Sequence, residues 1–357
     1  MASNNFPEDL ILDILTMLPV NSLLRFRCVS KLWFALIRDP GFIKMHLTRS
    51  LATNTNLSLI SIKSSNFYLY SLDFEDCKQE TLELNHPLKF PRHGTELVGS
   101  CNGLLCISNY RYRNIFLWNP STRRYKKLPY IPTETPFNRL PPHLAAYGFG
   151  YEPITEDYKL VKVVSFYDID DNSIRLNLNI YSLITNSWRG IGDMPFVIFE
   201  NPNGVYADST IHWIVKRWKE NFMISFDLKD EEYREVSLPA CTVKDKFGMN
   251  LGVLGGQLCV LYDFSIRVEI WMLKNYGVRD SWAKLFSIEE SIMREPFRFL
   301  KPICYSKHGG VLLQNYSESL VVYDPHTGRV SYCRISGVSK LLEAEVCADS
   351  LIALNAK

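Results

Sequence analysis

The sequence predicts a small all-α unit followed by a large all-β domain, a kelch-like β-propeller of about six blades closed by strands from the far end of the chain. Three observations lead there. Apolar residues recur at helical spacing only between residues 6 and 47. Beyond residue 57 the pattern turns to strand-like alternation, with hardly a helical window left except near 289–293. Within that stretch a strand–turn–strand unit carrying an aromatic recurs six times.

The helical elements follow in order. Pro7 suits a first helical turn, where its missing N–H costs nothing, and Glu8 and Asp9 suit the positive end of the helix dipole. Leu10, Ile11, Ile14, Leu15 and Leu18 form one apolar stripe, and Pro19 stops the helix. Asn21 or Ser22 is the expected cap of a second short helix bearing Leu23, Leu24 and Phe26. Ser30 is the expected cap of a third, with Leu32, Trp33, Leu36 and Ile37, which Pro40 ends. A last turn carries Phe42, Ile43, Met45 and Leu47. So small a unit buries little of its own surface, yet it holds more than a dozen large apolar side chains. Some of them must pack elsewhere, either on the rest of this chain or on a partner.

The order Pro7-Glu8-Asp9-Leu10, Ile14, Leu18-Pro19, Leu23, Val29-Ser30-Lys31, Trp33, Leu36-Ile37, Phe42, His46 resembles an F-box along its whole length. Phe6 stands where the family usually has Leu, a swap of one apolar residue for another. The resemblance implies binding to a Skp-type adaptor, and through it to a cullin scaffold and a RING subunit. It implies that Pro7, Leu10, Ile11, Ile14, Leu18, Pro19, Leu23, Leu24, Val29 and Trp33 form or support the adaptor surface.

Length and composition bound the rest. The chain of 357 residues has room for two domains, and 46% hydrophobic with 22% charged residues is a globular composition. The expected division is a helical unit at 1–49, a short polar connection at 50–56 and a β domain at 57–357. A formal net charge of +2 argues for neither nucleic acid nor a membrane surface. The basic run Arg123-Arg124-Tyr125-Lys126-Lys127 reads as a solvated hairpin. No stretch approaches the roughly 18 apolar residues of a membrane span, and MASNNFPEDL lacks the features of a secretory signal. Nine cysteines with no CxxC spacing then read as reduced thiols, in the cytoplasm or nucleus.

The β units lie at 67–84, 116–129, 179–191, 223–239, 268–288 and 320–335. Tyr70, Trp118, Tyr181, Phe226, Trp271 and Tyr323 hold corresponding places, 48, 63, 45, 45 and 52 residues apart. Most are preceded by an apolar strand pair around a small turn, such as Asn102-Gly103 or Gly255-Gly256. A period near 45–50 residues suits a four-stranded propeller blade. The first unit lacks its opening half, and residues 347–354 look like an opening half without a second. The two should combine and close the ring, removing exposed sheet edges. GSCNGLLCI at 99–107, LWNPSTRRYKKLP at 117–129, YGFGYEPITEDYKLVKV at 147–163 and LVVYDPHTGRV at 320–330 resemble the F-box-associated interaction domain of plant F-box proteins. The likeness covers nearly all of 57–357 and is strongest to the regulators of immune receptors, then more distantly to the S-locus F-box proteins of pollen. It implies a domain that recruits proteins for ubiquitination.

Chemistry of the chain's own finds little support. There is no GxSxG, HExxH or phosphate-loop motif, the seven histidines show no metal spacing, and no cofactor is expected. His212 beside Trp213 reads as packed in a strand, and His86 and His93, beside prolines, as exposed. The expected function is that of a non-catalytic substrate-recognition subunit of a Skp–cullin–F-box ubiquitin ligase. The alternatives are an F-box scaffold acting outside the ligase and a propeller enzyme. Propellers bind partners through loops of one rim. The candidate loops are 130–144, 167–175, 196–203 and 216–221, with Phe137, Arg139 and Trp218 as candidate contacts to an unidentified protein substrate.

Overall fold

The computed structural model describes residues 7–63, 68–72, 81–89, 94–109, 114–131, 144–168, 173–194, 198, 203–217, 220–239, 248–264, 266–276, 281–293, 300–306, 308–315, 319–333 and 341–354. Four helices come first: α1 (Glu8–Thr16), α2 (Val20–Phe26), α3 (Lys31–Leu36) and α4 (Pro40–Thr53). Ser30 caps α3 as expected, its hydroxyl accepting from the Trp33 N–H at 3.1 Å. Two expectations change. The cap of α2 is Pro19, whose extended backbone admits Val20 as the first helical residue, so Asn21 and Ser22 lie inside the helix. Pro40 does not merely end α3; it opens α4, capped by Asp39, whose carboxylate accepts from the Phe42 N–H at 3.0 Å. That helix runs through Thr53 and ends at Asn54 in the left-handed region, so residues read as a linker are largely helical.

Twenty-four strands follow among the described residues. They are β1 (Leu57–Lys63), β2 (Leu69–Leu72), β3 (Leu82–Glu83), β4 (Thr95–Cys101), β5 (Leu104–Asn109), β6 (Ile115–Asn119), β7 (Arg124–Lys127), β8 (Leu144–Glu152), β9 (Asp157–Asp168), β10 (Ser173–Ser182), β11 (Ser187–Met194) and β12 (Val205–Ala207). Then come β13 (Thr210–Arg217), β14 (Glu220–Asp227), β15 (Tyr233–Val236), β16 (Gly248–Leu254), β17 (Gln257–Asp263), β18 (Arg267–Leu273), β19 (Trp282–Glu289), β20 (Lys301–Tyr305), β21 (Val311–Asn315), β22 (Ser319–Asp324), β23 (Arg329–Tyr332) and β24 (Leu341–Ala348). A 3-10 turn at Glu290–Ile292 falls where the helical signal beyond residue 57 lay.

The strands form six antiparallel sheets of four, taken in order from β4 to β23 as blades 2 to 6. Blade 1 is β24-β1-β2-β3, so its inner strand comes from the other end of the domain. The pairing runs from Leu57 opposite Ala348 to Lys63 opposite Leu341. Inner strands β24, β4, β8, β12, β16 and β20 touch in succession around the axis and return to β24. The fold is a closed six-bladed propeller, closed by the C-terminal strand as expected, but that strand is Leu341–Ala348: of residues 347–354 only Cys347 and Ala348 belong to it, and 349–354 run on outside the sheet.

All six recurring aromatics sit on the third strand of their blades. Five are buried and Trp271 is half-buried. In four blades the aromatic pairs with a residue seven further on: Trp118 with Tyr125, Tyr181 with Trp188, Phe226 with Tyr233, Tyr323 with Val330. Each intervening turn puts one residue at positive φ: Arg123 (58°), Asn186 (51°), Glu231 (57°) and Gly328 (67°). The polar residue after the aromatic holds the turn. Asp227 Oδ1 accepts from the Lys229 and Asp230 N–H groups, and Asp324 Oδ1 from those of His326 and Thr327. In these four blades the repeat read in the sequence is one hairpin built by one rule; in the other two the aromatic pairs across a longer connection, Tyr70 with Glu83 and Trp271 with Lys284. Between blades, buried clusters form the core, such as Leu160, Tyr147, Phe149 and Leu117 between blades 2 and 3.

Candidate protein-interaction surfaces

The helices carry two apolar faces. The inner one packs Leu15, Val20, Leu23, Ile37 and Phe42 together. Trp33 meets Phe26 edge-on, ring centroids 5.5 Å apart, and is half-buried. His46 on α4 lies inside, its Nε2 2.8 Å from the Leu18 carbonyl, which ties α4 to the end of α1. The outer face is exposed among the described residues. Leu10, Ile14 and Met17 point outward at 51%, 56% and 57% exposure, spaced i, i+4, i+7 along α1 and its C-cap. Val29, just before α3, and Leu32, within it, stand out at 61% and 58%, and Phe34 is exposed with Arg38 5.0 Å from its ring. A set of large apolar side chains held outward on a unit with a filled core is what a docking surface requires.

Of the ten residues assigned to this surface, Pro7, Leu10, Ile14, Pro19 and Val29 are exposed. Ile11, Leu18, Leu24 and Trp33 are partly buried and brace the unit from behind. Leu23 is fully buried, so it supports the surface without presenting itself on it. Met17, Leu32 and Phe34, outside those ten, are also exposed on the helical unit. Met17 was within reach of the pattern, lying three residues beyond Ile14.

The inner strands fix which way the propeller faces. Their C-terminal ends, at Cys101, Leu254, Tyr305 and Ala348, lie on the helical side, since Leu51, Ala52 and Asn54 share the mouth of the axial channel with Asn102, Gly255 and Gly256. Lys44 on α4 also pairs with Glu156, in the turn between β8 and β9, at 3.1 Å. All four candidate loops leave and re-enter the sheets at the opposite face, for example between Asp168 and Ser173. Phe137, Arg139 and Trp218 lie outside the described residues.

The axial channel encloses about 570 Å³ and is lined by Glu343, Glu345, Lys301, Asn203, Tyr206 and backbone of the inner strands. Lys301 pairs with Glu345. Burial, with Glu345 and Glu96 nearby, pushes the Glu343 carboxyl up to about 7 against the pull of Lys301. Among the described residues no three His, Cys, Asp or Glu side chains converge as a metal site. His212 is packed as the strand reading expected, fully buried with Nδ1 3.2 Å from the Val205 carbonyl and Nε2 2.9 Å from the Tyr276 hydroxyl. His86 departs from expectation. It is buried, its ring centroid 6.0 Å from that of Trp118, because the segment before blade 2 folds over that blade instead of standing in solvent. His93 lies outside the described residues.

Comparison with known proteins agrees with this division. Residues 3–45 match the F-box domain, and residues 58–350 match the F-box associated beta propeller domain. F-box protein CPR1 of Arabidopsis thaliana is 33% identical over 371 aligned positions, covering 97% of this chain and 88% of that protein. An F-box/kelch-repeat protein of the same plant is 28% identical, covering 99% of this chain and 96% of its own. Among solved structures, TolB from Acinetobacter baumannii superposes with a TM-score of 0.51 at 9% identity, over 82% of this chain and 66% of that one, a likeness of fold alone. With an F-box whose apolar stripe faces outward and a six-bladed propeller behind it, this chain belongs to the F-box proteins that carry an F-box-associated β-propeller domain.

Proposed function

We propose that this chain is the target-recognition subunit of a Skp–cullin–F-box ubiquitin ligase, and that it makes or breaks no bond itself. The observation that carries the reading is the outward stripe of Leu10, Ile14 and Met17 on the helical unit, set at the propeller end opposite the loop-bearing face. The stripe would bind a Skp-type adaptor, which brings the cullin and RING subunits. The loop face would hold a protein target. An inner strand of seven residues spans roughly 23 Å, so the propeller keeps target and adaptor apart at a set distance. Holding a target lysine near a charged ubiquitin carrier makes transfer effectively intramolecular, with local concentrations in the millimolar range. Cys101, Cys106, Cys259 and Cys347 are buried within the blades, which supports a reducing compartment, the cytoplasm or nucleus.

The test is a paired purification from proteasome-inhibited cells, using the whole chain and its Leu10→Asp/Ile14→Asp form. Point variants are preferable to removing residues 1–49, which would cut α4 and leave Leu351 of the propeller side without the helical core that covers it. The whole chain should bring down adaptor, cullin and target, and the variant the target alone. Equal adaptor recovery by both would overturn the reading. A captured protein whose abundance is unchanged when this chain is absent would favour a scaffold outside the ligase.

A further inference from the structure

The helical unit does not complete its own core. Leu351, which follows β24 more than 300 positions after the F-box match ends at residue 45, lies 4% exposed among Leu15, Val20, Leu23, Ile37 and Phe42. The residues around it are fastened to blade 2. Asn119 Nδ2 donates to the Ser350 carbonyl at 3.1 Å and the Ile352 carbonyl at 3.0 Å. Ser121 Oγ donates to Asp349 Oδ1 at 3.2 Å. Leu354 is buried with Tyr147, Phe149 and Leu117 between blades 2 and 3. Gly103, at φ +78°, leaves the room required, since a Cβ there would fall 2.3 Å from Ser350 Oγ. On the other side the Asp349 N–H donates to the Asn56 carbonyl at 2.7 Å, and Asn56 Nδ2 to Ser50 Oγ of α4 at 3.3 Å.

Asn119 serves two ends at once. Its Oδ1 accepts from the Thr122 N–H at 3.1 Å and sets the hairpin turn, which leaves its Nδ2 free to hold the following segment. A buried amide satisfied on both sides fixes geometry more firmly than apolar contact alone.

We infer that residues 349–354 are a strut that finishes the adaptor-binding unit and sets its bearing on blade 2, so that adaptor binding depends on closure of the propeller. Leu351 reaches the helical core only when β24 is zipped against β1. A chain that has not closed its ring therefore presents an unfinished adaptor surface, and unfolded receptors are kept off the ligase. Leu351 and Asn119 act here as positioning residues. The inference rests on the adaptor-binding reading above.

The experiment uses the purified full chain, a purified Skp-type adaptor, and hydrogen exchange of the helical amides. Leu351→Asp should weaken adaptor binding more than tenfold and speed exchange in α1 and α2, while blades 3 to 5 keep their protection. Leu351→Met should restore both. Asn119→Ala retains the leucine but frees the segment, and should speed exchange in 349–354 and in α1, with a smaller loss of affinity. L351D with the unaltered chain's affinity and helical protection would overturn the strut. Should L351D give no soluble protein, N119A decides: unchanged exchange in α1 and unchanged affinity would refute the inference. If the unaltered chain binds no adaptor, the functional reading fails, while the exchange comparison still decides whether the strut holds the helices.

Discussion

Deleting residues 345–357 would remove half of the closing strand and everything after it. Glu345, Val346, Cys347 and Ala348 pair with Ile60, Leu59, Ser58 and Leu57, so about four ladder positions go, each hydrogen bond contributing roughly 0.5–1.5 kcal/mol. Leu351 and Leu354 are each 4% exposed, and burial of a leucine contributes about 1.5–3 kcal/mol. The loss is then on the order of 5–12 kcal/mol, comparable with the roughly 5–15 kcal/mol that holds a domain folded. The half of β1 from Leu57 to Ile60 would also stand as an unpaired edge that carries Leu59 and Ile60, which are now buried. The expected outcome is aggregation or loss of a cooperative transition, read by size-exclusion chromatography and thermal melting. A truncated chain that runs as a monomer and melts cooperatively near the full chain's temperature would refute the closure argument.

Two further outcomes follow from the same contacts. Trp33→Ala removes a half-buried ring packed on Phe26 and should destabilise the helical unit by roughly 3 kcal/mol, the low end for such truncations, read by exchange of α2 and α3 amides. A loss under about 1 kcal/mol would mean that the ring does not support the unit. His212 is held neutral, its pKa lowered to about 4 by burial although its bond to Val205 opposes the shift. The unfolded chain takes up this proton near 6.5, so the stabilisation is complete above that pH and is lost as pH falls toward 4, by roughly 3 kcal/mol in full. His86, also lowered to about 4 by burial, acts in the same direction. His212→Gln keeps a donor and an acceptor, and its melting temperature should fall less steeply across that window. Identical slopes would show that His212 does not set the acid sensitivity.

What was legible in the sequence was what repeats or alternates. The propeller could be read because one hairpin rule recurs, and the closure because the first unit lacked what the last supplied. The F-box stripe could be read because Leu10 and Ile14 sit one helical turn apart. Features made by distant contact were not legible. Residues 50–53 read as part of a polar connection, yet they continue α4, in which His46, Leu47 and Ser50 are buried, and burial outweighs a weak local preference. His86 read as exposed from its proline neighbours, and only the fold reveals Trp118 beside it. Leu351 carries no local mark of membership in a helical core at the other end of the sequence. Its place follows from where β24 ends.

The central claim is that the outward stripe binds the adaptor, and the most direct measurement is the affinity of the purified full chain for a purified Skp-type adaptor, beside that of Leu10→Asp/Ile14→Asp. Both side chains are about half exposed, so each has roughly 1 kcal/mol of burial still to gain on docking, and each aspartate adds a desolvation cost of about 1–3 kcal/mol. The account expects measurable binding by the unaltered chain, at least a hundredfold weaker binding by the variant, and unchanged melting of both. Equal affinities, or no binding by the unaltered chain, would contradict it.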